Sequence, residues 1–149
     1  RDTGSSSDYL THNYVENCVV YTGTHDNETL VSWIDNITRA ELKMVRDYLN
    51  DYHTPKKHLY KSLIALVMRS AAKYCVIPMQ DYLGLDNTCR TNKPSTIGIN
   101  WRWRVTDELS DELQAEILSV AKRYGRCNWD AINLLEREAL LKEEAEEGC

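Results

Sequence analysis

Val19-Val20-Tyr21-Thr22-Gly23-Thr24-His25-Asp26-Asn27 couples a short apolar, β-branched run to a glycine-containing turn that presents an imidazole and a carboxylate. In parallel α/β proteins ligands meet the carboxyl ends of the strands, so polar residues placed directly after a buried strand are candidates for chemistry rather than packing. The reading therefore begins with a strand at Cys18 to Tyr21, a loop over Thr22 to Asn27, and Asp26 as the leading site residue.

Outward from that stretch, a helix is expected to follow the loop. Thr38, with Glu41 three residues later, makes a capping box, and Leu42, Val45 and Leu49 share one face, which predicts a helix from about Arg39 to Tyr52. His53-Thr54-Pro55 ends it. An apolar stripe of Leu59, Leu63, Leu66 and Val67 predicts a second helix over about Lys57 to Lys73. Tyr74-Cys75-Val76-Ile77-Pro78-Met79 is the next apolar run, separated from the first by enough helix for a right-handed crossover between parallel strands. Gln80 and Asp81 come straight after it, as His25 and Asp26 follow the first, so both polar pairs are expected at the same sheet edge. Asp86 to Asn100 reads as a long Asn-, Thr- and Pro-containing loop of the kind that carries function or moves. Two helices close the chain, from about Asp107 to Tyr124 before Gly125, and from about Trp129 into an acidic tail, Glu143 to Glu147, expected to fray. Arg1 to Asn17 reads as loop.

The whole chain has 149 residues, 42% apolar and 28% charged, the composition of a soluble globular protein with one real core. A formal charge of −5 argues against nucleic acid or an anionic membrane as partner. Cys18, Cys75, Cys89, Cys127 and Cys149 are odd in number and widely spaced, which suits reduced thiols and a cytoplasmic location. No window reaches the ~20 apolar residues of a membrane span, and the start has no signal-peptide core. Two strands cannot cover both faces of a parallel sheet, and a complete βα barrel needs about 200 residues or more. The missing strands are expected outside this chain, and the Arg1 start agrees with a longer polypeptide.

A carboxylate beside an imidazole on a strand end can act as a base, a metal ligand or an electrostatic stabiliser. His12, His25, His53 and His58 offer no pair at helical ligand spacing, so no metal and no cofactor are expected. Cys18 and Cys75 lie inside apolar runs, where a thiol packs as a small hydrophobe rather than attacking. The competing structural reading makes Asp26 or Asn27 the N-cap of the following helix. Trp101-Arg102-Trp103-Arg104 reads as packing and ion pairing rather than base stacking. Two glycosylation sequons, at Asn27 and Asn36, would go unused in a cytosolic chain.

Five segments carry a resemblance. They are Tyr9-Leu10-Thr11-His12-Asn13-Tyr14, Tyr21 to Asn27, Pro78-Met79-Gln80-Asp81-Tyr82-Leu83-Gly84-Leu85, Arg90-Thr91-Asn92-Lys93-Pro94 and Asn100-Trp101-Arg102-Trp103-Arg104. In this order they resemble the C-terminal part of the 4-α-glucanotransferases, the amylomaltases or disproportionating enzymes of glycoside hydrolase family 77. Thr11, Thr91, Ser95 and Ile99 depart from the family's usual residues. The resemblance implies an α/β fold in which residues 1–149 form the C-terminal part of a (β/α)₈ TIM barrel, its last two strands with their helices, incomplete by itself and without a separate second domain. It implies an α-glucan or maltooligosaccharide substrate, the upstream part of the same barrel as partner, and transfer by a retaining double displacement. Asp26 matches the carboxylate that stabilises the transition state and His25 a substrate-binding histidine. Asn92 would line the sugar cleft, with Gln80 and Asp81 in support. The nucleophile and acid/base have no counterpart here. A noncatalytic carbohydrate-binding module and ordinary α-glucan hydrolysis remain the alternatives.

Overall fold

The computed structural model describes residues 5–106 and 108–147, except for the side chains of residues 140 and 144–147. The chain divides into two compact units, Arg1–Glu108 and Leu109–Cys149. The first holds strands β1 (Val19–Tyr21) and β2 (Tyr74–Val76) and helices α1 (Leu30–Asn36), α2 (Arg39–Leu49), α3 (Leu59–Met68) and α4 (Met79–Tyr82). The second holds helices α5 (Asp111–Arg123) and α6 (Trp129–Glu147).

The two strands pair in parallel, Val19 opposite Tyr74, Val20 opposite Cys75 and Tyr21 opposite Val76. The parallel pairing expected from the sequence is present, with α1, α2 and α3 in the connection. Val20 is buried against Val67 of α3 and Ala72, with Tyr14, Cys18, Cys75 and Ile77 packed around them. Leu59 and Ile34 are the largest fully buried side chains.

The expectation of a buried first strand needs correction. Side chains alternate across a strand, and only Val20 of β1 points into this core. Val19, Tyr21, Tyr74 and Val76 stand on the other face of the sheet, 45–61% exposed. Full burial of one such apolar side chain contributes about 1.5–3 kcal/mol, so four of them side by side form a face suited to being covered.

Helix ends follow local chemistry. The Thr38–Glu41 capping box forms in both directions, with Glu41 N–H donating to Thr38 Oγ1 at 3.2 Å and Thr38 N–H to the Glu41 carboxylate at 2.9 Å. α2 stops at Leu49, short of the expected Tyr52, because Asn50 turns left-handed at φ 52°. Asp51 then organises the next loop by accepting from Thr54 N–H, at 2.9 Å, and from the Ser62 hydroxyl, also at 2.9 Å. The stripe from Lys57 is helical only over α3, preceded by a 3₁₀ turn at Lys56–His58. The Ser70 hydroxyl donates to Val67 C=O at 2.7 Å just beyond the end of α3. β2 stops at Val76, and Pro78 starts α4, so Gln80 and Asp81 sit on a helical turn. Among the first residues, Thr11–Asn13 makes a 3₁₀ turn, and the expected loop at residues 1–4 lies outside the described residues.

In the second unit, Ser110 caps α5 through Leu113 N–H at 3.2 Å, so the helix begins after the expected Asp107, itself outside the described residues. Gly125 at φ 67° follows its end. α6 begins at Trp129, where Asn128 accepts from Ala131 N–H at 3.2 Å, and continues helically through the acidic tail to Glu147. Lys122 pairs with Glu136 between the two helices. Among the described residues no helix is long and apolar enough to cross a membrane.

Candidate functional site

The loop after β1 is built to raise two side chains. Thr22 N–H extends the ladder to Val76 C=O, and Asn27 Oδ1 then accepts both the N–H and the hydroxyl of Thr24 at 2.8 Å. This turn, closed by the Asn27 side chain reaching back to Thr24, carries His25 and Asp26 between its ends, where both are about half exposed. His25 Nε2 lies 3.2 Å from Asp26 Oδ1.

The loop after β2 closes over them. Asn92 Nδ2 donates to Asp26 Oδ1 at 2.7 Å, and Asn92 N–H donates to His25 C=O at 3.1 Å. Arg90 reaches Asp26 C=O at 2.6 Å and Asn92 C=O at 2.8 Å. Asp26, His25 and Asn92 therefore come together, as the sequence reading anticipates. Among the described residues Asp26 Oδ2 accepts no hydrogen bond, which leaves one charged oxygen open on an otherwise oriented carboxylate.

Gln80 and Asp81 are placed differently. Both are buried, at 7% and 3% exposure. Asp81 accepts the Thr22 hydroxyl on Oδ2 at 2.6 Å and Leu30 N–H, at the start of α1, on Oδ1 at 2.9 Å. Gln80 Nε2 donates to Cys89 C=O at 3.2 Å and Thr91 Oγ1 at 3.1 Å. Asp81 thus ties the two ends of the His25–Asp26 loop, and Gln80 ties the loop that carries Asn92. The two line the floor of a cleft of about 470 Å³ with Gly23, His25, Glu28 and Arg90. Asp26 borders a second cleft of about 1190 Å³ that follows β1 and shares several residues with the first.

The capping alternative for Asp26 does not hold. The N-cap of α1 is Thr29, which accepts from Ser32 N–H at 3.4 Å, and Asp81 takes the neighbouring Leu30 N–H. Among the described residues no three His, Cys, Asp or Glu side chains gather as a metal site. Arg90 and Trp101 were missed as site residues. Arg90 belongs to a motif already singled out, but its contact is with backbone across two loops, which no spacing rule reveals. Trp101 was read as packing, yet it stands 57% exposed with its ring 5.0 Å from that of His25. Arg104 folds onto Trp101 C=O at 3.2 Å and Trp103 C=O at 2.8 Å.

An oriented, half-open carboxylate beside amide and imidazole groups thus stands at the carboxyl edge of two parallel strands, the place where α/β proteins commonly receive ligands. The family profile described as 4-alpha-glucanotransferase matches residues 1–110. The 4-alpha-glucanotransferase of Clostridium butyricum is 40% identical over 125 residues, covering 83% of this chain and 25% of that protein. The chloroplastic/amyloplastic 4-alpha-glucanotransferase of Solanum tuberosum is 39% identical over 122 residues, covering 79% of this chain and 21% of its own length. An amylomaltase from Streptococcus agalactiae, solved in complex with acarbose, superposes with a TM-score of 0.78 at 30% identity, over 85% of this chain and 26% of that one. The chain belongs to the 4-α-glucanotransferase family, and it spans about a quarter of the length of these relatives.

Proposed function

We propose that the complete protein is a 4-α-glucanotransferase that moves α-1,4-glucan segments between maltodextrins, and that this chain is the C-terminal portion of its (β/α)₈ catalytic barrel, without a separate second domain. The short relative coverage supports this, as does the exposed face of Val19, Tyr21, Tyr74 and Val76, which the side chains of a closed barrel would cover. The scattered cysteines favour a cytosolic enzyme.

The observation that carries the proposal is the Asp26 carboxylate, with Oδ1 held by Asn92 and His25 and Oδ2 open. In a retaining double displacement a nucleophilic carboxylate attacks the anomeric carbon as a general acid protonates the departing glycosidic oxygen. An acceptor hydroxyl then displaces the enzyme, giving its proton to the same residue as base. Both of those carboxyl groups belong to the rest of the protein. Asp26 accepts hydroxyl hydrogen bonds from the reacting sugar and stabilises the positive charge that develops on its ring, while His25 donates to a neighbouring hydroxyl.

Incubation of the native polypeptide with maltotriose tests this reading. Both longer and shorter maltodextrins should appear, and Asp26→Asn should abolish them while leaving the circular dichroism spectrum unchanged. Shorter products alone would mean hydrolysis. Binding without turnover would mean a noncatalytic module.

A further inference from the structure

We propose that Trp101 is a sugar-stacking residue, its indole forming a ledge for the glucosyl ring that neighbours the one held at Asp26. The inference rests on the glucanotransferase reading and extends that site to Trp101.

Trp101 is held in a conformation that its own chemistry disfavours. Its φ is 65°, in the left-handed region that a bulky L-residue rarely enters. The loop enforces it. Trp101 N–H donates to Thr91 C=O at 2.7 Å, and Trp101 C=O accepts from Arg104 at 3.2 Å. The preceding Asn100 accepts Lys93 N–H at 3.0 Å and donates to Thr96 C=O at 3.1 Å. A strained backbone that delivered its side chain to the core would be explained by packing. Here it delivers a large aromatic to the edge of the site, with its ring beside the His25 imidazole. Backbone strain of this kind clusters at active sites and ligand clamps.

The location identifies the ligand chemistry. The indole sits against the His25 imidazole, ring centroids 5.0 Å apart and planes tilted by 37°, and Nε2 of the same imidazole lies 3.2 Å from the Asp26 carboxylate. His25 thus has the Asp26 carboxylate and the Trp101 indole as neighbours, a charged group and an apolar ring within reach of one sugar-binding imidazole. A glucopyranose ring has its hydroxyls around the rim and C–H groups on its faces. Those electropositive C–H groups match the negative face of an indole, and the hydroxyls remain free for His25 and water.

The test uses the native polypeptide containing this chain, with Trp101→Ala and Trp101→Phe compared by calorimetric binding of maltotetraose and by steady-state maltotriose transfer. Trp101→Ala should weaken binding and raise KM by about tenfold, with kcat falling less, and Trp101→Phe should stay within about threefold of the parent. Unchanged binding in Trp101→Ala overturns the proposal, as does an equal loss in both variants accompanied by a lower Tm, which would make the indole a packing element. Absence of both binding and transfer in the parent overturns the glucanotransferase reading and the ledge with it. A parent that transfers beside an unaffected Trp101→Ala overturns the ledge alone.

Discussion

The two strand ends of the parallel pair carry polar pairs at equivalent places, His25–Asp26 after β1 and Gln80–Asp81 after β2, yet their environments are opposite. Asp26 is half exposed, with one oxygen oriented by protein and one open. Asp81 is 3% exposed, with both oxygens engaged by Thr22 and Leu30. A carboxylate at a strand end can therefore serve a ligand or hold the loop that presents another carboxylate, and the local backbone decides which. The β1 strand runs into a turn closed by Asn27 on Thr24 that projects its side chains, whereas Pro78 starts a helical turn that folds Gln80 and Asp81 back under the loops.

The contrast breaks first at Asp26. Asp26→Asn should lower kcat for glucan transfer by roughly 10³-fold or more, with Tm within a degree or two of the parent by differential scanning calorimetry. Near-normal turnover would make the two strand ends alike in having no role in transition-state stabilisation. Asp81→Ala should do the reverse and cost about 2–3 kcal/mol of stability, because the buried Leu30 N–H and Thr22 hydroxyl lose a charged acceptor. Urea denaturation measures it. Full stability with turnover abolished would make Asp81 a direct substrate ligand.

Asn92→Ala sharpens the comparison at smaller amplitude. It removes the donor to Asp26 Oδ1 without removing the charge, so turnover should fall by about tenfold, measured as initial rates of maltotriose transfer. An effect as large as that of Asp26→Asn would mean that Asn92 itself contacts the reacting sugar.

Asp51 supplies a third carboxylate with a purely local duty and the smallest effect. Hydrogen bonds from Thr54 and then Ser62 lower its pKa to about 2 from the ordinary 3.8. The folded form prefers the ionised group, so the stabilisation is complete above about pH 3.8 and is lost as the pH falls toward 2. Asp51→Asn should therefore lower the urea midpoint at pH 6, and the difference from the parent should shrink as the pH approaches 2. A constant difference across that range would separate the loop's stability from this carboxylate's ionisation.

Much of the molecule was legible because its signals are local. The Thr38–Glu41 box, the apolar stripe of α3 and the two β-branched runs each act within a few residues, and the structure repeats them with ends moved by a few positions. The ends moved where a residue adopted a conformation that periodicity does not encode, such as Asn50 at φ 52°. Asp26 and His25 were legible as candidates because they directly follow a strand, and Asn92 only through the family resemblance.

By itself the sequence determined the parallel strand–helix–strand unit, the family and the residue types gathered at the strand ends, since these depend on short-range pattern and motif order. Only the tertiary structure decided that Asp81 is a buried tie while Asp26 keeps an open oxygen, that Arg90 clamps the backbone of the Asp26 loop, and that Trp101 stands exposed beside His25. Those outcomes depend on which donors the fold brings within 3 Å across a gap of some sixty residues, as for Asp81 with Thr22. Burial and hydrogen-bond partnership are properties of that meeting rather than of either segment alone.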